Sequence, residues 1–104
     1  MTTVRDLQAM AGDEQIAMLT AYDAVTAALV EAAGVDVILV GDSVGNAVLG
    51  HEDTLPVTVD EIASRVGAVA RGTEDALVVA DMPFLSFGVD VSKSVSNCGR
   101  MLKE

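Results

Sequence analysis

Apolar positions in this chain fall into short runs separated by glycines and capping residues, and the runs alternate in type. Thr3 to Ala11 reads as a short helix: Thr3 and Asp6 stand near capping-box spacing and Gly12 ends it. Ile16 to Thr20 (IAMLT) is a short apolar run after a charged turn and predicts a strand. Ala24 to Ala33 is alanine-rich and runs into Gly34, a helix closed by a C-terminal glycine. Val35 to Val40 (VDVILV) is β-branched and mostly apolar, a second strand. Gly41 to Thr58 mixes glycines, polar residues and Pro56, which predicts a long loop. Thr58 and Glu61 then form a capping box that opens a helix to about Arg71, before Gly72. Ala76 to Ala80 (ALVVA) is a third strand, Asp81 to Gly88 a loop. A last helix starts near Asp90 or Val91 and is still in progress at Glu104.

Continuous apolar strands separated by helices predict βαβ units, with a parallel sheet covered on both faces. No linker, low-complexity stretch or further repeat interrupts the rhythm. A closed (β/α)8 barrel needs about 200 residues or more, so 104 residues do not close one.

Composition narrows the class. A chain that is 51% hydrophobic is not disordered, and 104 residues make one domain at most. No apolar run approaches the ~18 residues of a membrane span. The opening MTTVRDLQ has neither a basic nor an apolar leader region, and one cysteine rules out an internal disulfide framework. These features predict a cytoplasmic protein. Charge is the unusual quantity: 16 Asp and Glu stand against 6 Lys and Arg, a net −10. That balance excludes nucleic acid, whose phosphates need a basic face, and attraction to anionic membranes. The acids are scattered rather than run together. An apolar core under an acid-rich surface predicts a protein kept soluble in high salt, an ordinary acidic protein being the plainer reading.

Ligands of parallel α/β folds bind at the carboxyl ends of the strands. There the sequence places Ala21-Tyr22-Asp23, Gly41-Asp42-Ser43-Val44-Gly45 and Asp81-Met82-Pro83-Phe84. Asp42 and Asp81 each stand one or two residues past an apolar strand, and neighbouring strands lie ~4.8 Å apart, so the two carboxylates can converge. Converging carboxylates repel unless a cation or shared proton intervenes, and a hard divalent cation such as Mg²⁺ suits oxygen ligands. The competing reading is that each Asp caps the following helix. Asp42-Ser43 sets a carboxylate beside a hydroxyl, a pair suited to a small oxygen-rich substrate. The flanking Gly41 and Gly45 allow a tight turn but match no phosphate-binding fingerprint. Tyr22 reads as a packed ring with its hydroxyl bonded, His51 as a loop hydrogen-bonding residue and Cys98 as a small buried residue.

Four blocks then become specific: Thr20-Ala-Tyr-Asp23, Leu39-Val-Gly-Asp-Ser-Val-Gly45, Gly50-His-Glu-Asp-Thr-Leu-Pro-Val-Thr58 and Ala80-Asp-Met-Pro-Phe84. In this order and spacing they resemble the ketopantoate hydroxymethyltransferase family, from about Val4 to Glu104. The resemblance implies the first three βα units of a (β/α)8 TIM barrel, of the phosphoenolpyruvate mutase and isocitrate lyase kind. It implies transfer of a hydroxymethyl group from 5,10-methylenetetrahydrofolate, or a related pterin, to 3-methyl-2-oxobutanoate. The product is 2-dehydropantoate, on the route to pantothenate and coenzyme A. By motif, Asp42 and Asp81 look like the Mg²⁺ ligands, and Asp42, Ser43 and Asp81 like the lining of the keto-acid site. A full-length member is implied to be a homo-oligomer.

The family's Lys-x-Glu strand and its general base, a later Glu, have no counterpart up to Glu104. No catalytic base is therefore assigned here, and the 104 residues alone are expected to be inactive and prone to association. The alternative reading is a truncated, non-catalytic remnant. A mutase- or lyase-type relative is disfavoured by the Thr54-Leu-Pro-Val-Thr58 block.

Overall fold

Side-chain caps start the four longer helices. Asp6 N–H donates to Thr3 Oγ1 and Thr3 N–H to the Asp6 carboxylate; Thr58 and Glu61 make the same reciprocal pair. Asp23 and Asp90 accept from the backbone of Thr26 and Lys93. Each cap satisfies N–H groups that have no partner within the helix. The computed structural model describes residues 1–104. Its elements are α1 Val4–Met10, β1 Met18–Thr20, α2 Ala24–Ala32, β2 Val37–Val40, α3 Val44–Ala47, α4 Val59–Gly72, β3 Leu77–Ala80 and α5 Val91–Lys103. Gly34 follows α2 at φ +97°, a left-handed conformation that only glycine adopts without strain.

Apart from one-residue shifts, three boundaries differ from those the sequence predicts, and the plainest is that β2 starts at Val37 rather than Val35. The first strand starts at Met18 rather than Ile16, because the Asp36 carboxylate, 3.0 Å away, takes the Ala17 N–H in place of a backbone carbonyl. The stretch expected to be a loop contains α3. No side chain caps α3; packing holds it, with Val44 fully buried and Gly45 so close to Val57 that a Cβ there would lie 2.7 Å from Cγ2.

The strands run parallel in the order β1-β2-β3, with Met18 opposite Val37 and Val37 opposite Leu77. Ile38, Val40, Val78 and Ala80 point into the core, against Ala27 of α2 and Ile62, Ala63, Val66 and Val69 of α4. The alternate row belongs to the other face. There Val79 is 38% exposed, and on β1 Met18 is 55% exposed. The expectation of a sheet covered on both faces is therefore corrected: both crossover helices lie on one side, as same-handed βαβ connections require, and the other side is open along Leu39 and Val79 but not at Val37, which is buried. An apolar cavity of about 580 Å³ lies between α4, β3 and α5, lined in part by Val66, Val78, Met82, Cys98 and Met101. Cys98 is half-buried there rather than buried as expected.

The loop from α4 to β3 is held by a single carboxylate. Glu31, near the end of α2, accepts hydrogen bonds from the backbone N–H groups of Glu74, Asp75 and Ala76 at 2.8–3.1 Å. The N–H of Ala76, then those of Glu74 and Asp75, lower the Glu31 pKa from its ordinary value. A carboxylate with a depressed folded-state pKa stabilises the fold above its unfolded pKa, near 4.5, and loses that contribution as pH falls through the folded value. Glu31→Gln is therefore expected to melt below wild type at pH 7, with the gap closing as the pH drops below about 4. Thermal melts at both pH values read this; a gap that is constant or widens in acid refutes the charge-based role.

Against 16 acidic residues, the structure holds two ion pairs, Arg100 with Asp60 and the N-terminal amine with Asp75. Unpaired like charge destabilises the compact state, and 1 M salt contracts the Debye length to ~3 Å. The melting temperature of the chain is expected to rise between dilute buffer and molar KCl. A flat or falling curve would refute adaptation of this surface to salt.

Candidate functional site

The backbone ladder continues one residue past β1 and β3. Ala21 N–H donates to Leu39 O at 3.3 Å, and Asp81 N–H to Val40 O at 2.9 Å. The three strand ends are thus level, and the residues just beyond them share one edge of the sheet. From β2 come Gly41, Asp42 and Ser43, with α3 turning the chain away immediately after. From β3 comes Asp81, whose carboxylate leans over Gly41: a Cβ at Gly41 would lie 3.0 Å from Asp81 Oδ2. Glycine at this position leaves room for that approach.

The three strand-end aspartates divide by their partners. Asp23 caps α2, accepting from Thr26 N–H at 2.8 Å and Thr26 Oγ1 at 3.1 Å. These bonds from Thr26, with a smaller contribution from the Arg65 charge, lower its pKa. Asp42, half-buried, and Asp81, exposed, accept no hydrogen bond from the protein through their carboxylates. Neither is a helix cap. No third His, Cys, Asp or Glu groups with them.

The structure also joins two hydroxyls. Tyr22 Oη lies 2.5 Å from Ser43 Oγ, tying the end of β1 to the end of β2. Tyr22 packs against the core and its hydroxyl is bonded, in agreement with the sequence. Its carbonyl accepts a hydrogen bond from Arg65 Nη1 of α4 at 3.3 Å. Sequence reasoning missed Arg65, which carries no local signal 43 residues from its partner. His51 is exposed, and its loop bonds are made by backbone rather than ring: its N–H donates to Gly45 O, and its C=O accepts from Asn46 Nδ2.

Carboxylates and hydroxyls gathered at the carboxyl ends of parallel strands are the arrangement of α/β enzymes. The comparisons narrow that class. The ketopantoate hydroxymethyltransferase family matches residues 1–104, and the chain belongs to it. It is 80% identical over all its 104 residues to a 3-methyl-2-oxobutanoate hydroxymethyltransferase of Haloarcula marismortui, covering 39% of that protein. It is 72% identical to one from Natronomonas pharaonis and 56% identical to one from Thermotoga maritima, each over 96% of this chain and 37% of the relative. The chain thus spans about two-fifths of the length of these curated relatives. No helix is long and apolar enough to cross a membrane.

Proposed function

We propose that these residues form the keto-acid half of a hydroxymethyltransferase site. In this reading the three βα units begin a (β/α)8 barrel that the relatives' further length completes. The substrates are 3-methyl-2-oxobutanoate and 5,10-methylenetetrahydrofolate or a related pterin, the setting is the cytoplasm, and the full-length protein is a homo-oligomer. One observation carries the reading: Asp42 and Asp81, just past adjacent level strand ends, have carboxylates without protein partners, with Asp81 Oδ2 leaning over Gly41 and Ser43 next to Asp42 in the chain.

The donor set suits Mg²⁺, since every group is a hard oxygen and Mg²⁺ is commonly held by one or two carboxylates with water and substrate. Asp42 and Asp81 would hold it, and when bound it supplies Lewis-acid polarisation of the 2-oxo group. Ser43 Oγ donates a hydrogen bond to an oxygen of the keto acid. Gly41 keeps the strand end low, so that substrate and the Asp81 carboxylate occupy the same edge. Removal of the C3 proton falls to a base in the part of the relatives that these residues do not span.

The test uses a chimera: residues 1–104 of this chain followed by the remainder of the Haloarcula marismortui relative. It is expected to exchange the C3 hydrogen of 3-methyl-2-oxobutanoate for deuterium with Mg²⁺ present, and to stop when the metal is chelated. Absence of exchange in a folded chimera would favour a non-catalytic remnant.

A further inference from the structure

We propose that Tyr22 is a positioning residue for Ser43: its phenol donates to Ser43 Oγ and leaves the serine's own proton for the keto acid. The inference rests on the reading of Ser43 as a substrate contact. A serine hydroxyl has one proton and two acceptor lone pairs. Ser43 Oγ does not cap α3, so the Tyr22 hydroxyl is its protein partner. A phenol is a better donor than an alkyl alcohol, so in this pair the tyrosine gives its proton and the serine accepts. With one lone pair occupied from the Tyr22 side, the Ser43 proton points elsewhere, into the open strand-end edge. An unpartnered exposed serine would sample its staggered rotamers; the 2.5 Å bond selects one.

Tyr22 is itself held well enough to do this. Ala21, just before it, is 1% exposed, and its N–H is in the ladder to Leu39. The Tyr22 carbonyl is bonded by Arg65, and Asp23, just after it, caps α2. The ring rests on the core. The phenol therefore projects from a backbone fixed on both sides, and its ordering is already complete before substrate arrives. Such preorganisation is what a binding hydroxyl gains from a second residue behind it.

The test is a double-mutant cycle in the chimera, with Tyr22→Phe, Ser43→Ala and both together. Binding of 3-methyl-2-oxobutanoate is read by calorimetry in Mg²⁺ and folding by thermal melts. Phenylalanine keeps the ring packing, and titrations run well below the melting temperature of each variant. Y22F and S43A are each expected to weaken binding about 3- to 10-fold, the scale of one hydrogen bond. In the S43A background Y22F should add nothing further, because the hydroxyl it served is gone. A structural role for Tyr22 would instead weaken binding equally in both backgrounds, and that outcome overturns the proposal. So does wild-type binding by Y22F when S43A is impaired. If S43A itself binds normally, the assignment of Ser43 under the proposed function falls first, and the role of Tyr22 falls with it.

Discussion

Asp42→Asn and Asp81→Asn, made singly in the chimera, are expected to slow C3 deuterium exchange by about 10²–10³-fold, equivalent to several kcal/mol of lost polarisation. Asparagine keeps the shape and removes the charge. Neither carboxylate accepts a protein hydrogen bond, so neither substitution deprives a helix of its cap or leaves a donor unpaired. The melting temperature should therefore hold or rise slightly as like charge is removed. This pairing of outcomes separates the site reading from the capping reading, in which stability falls and exchange is spared. Exchange near the wild-type rate in either variant would sink the assignment of that carboxylate.

Gly72→Ala is expected to be the most damaging single methyl group added to this fold. A Cβ at Gly72 would stand 2.4 Å from the carbonyl oxygen of Ala24, and within 2.9 Å of its Cα and carbonyl carbon. These are backbone atoms at the first turn of α2, so no side chain can rotate away; the helices must separate. Overpacking of this kind costs about 1–3 kcal/mol, which for a domain of this size lowers the melting temperature by roughly 5–15 °C. The damage should also reach the site. Ala24 is two residues after Tyr22, and a displaced α2 moves the Asp23 cap and the tyrosine before it. Melting and deuterium exchange measured on the same variant should fall together. A variant that melts within about 2 °C of wild type would show that the contact relaxes easily.

The features legible in the sequence are those that depend on neighbours in sequence. The capping boxes at Thr3 and Thr58 and the apolar run from Val35 to Val40 are local patterns; the structure keeps both boxes and forms the strand over Val37–Val40. Asp42 and Asp81 fall two residues and one residue past strands of the same length, a nearness that the sequence shows, whereas the register that sets Gly41 opposite Asp81 appears only in the sheet. Other features depend on groups that carry no sequence signature. Glu31 looks like any solvated acid on a helix, since its partners are backbone N–H groups 43 to 45 residues later. The Tyr22–Ser43 bond depends on the register of β1 against β2. The short helix α3 is held by the burial of Val44 and Gly45 against Val57, in residues whose propensities predict a loop. Continuous apolar strands read as burial on both faces, yet Leu39 and Val79 lie on the face opposite the helices.

The parallel register also ranks the order in which chain entropy allows the strand ends to meet. Pairing Met18 with Val37 closes about half as much chain as pairing Val37 with Leu77. Each doubling of loop length adds about 0.6 kcal/mol to closure. The hydroxyl pair Tyr22–Ser43 belongs to the shorter loop and Asp81 to the longer one. On loop entropy alone, the two halves of this edge are unequal: the tyrosine–serine bond closes on contacts nearby in the chain, whereas the second carboxylate waits on the whole of α4.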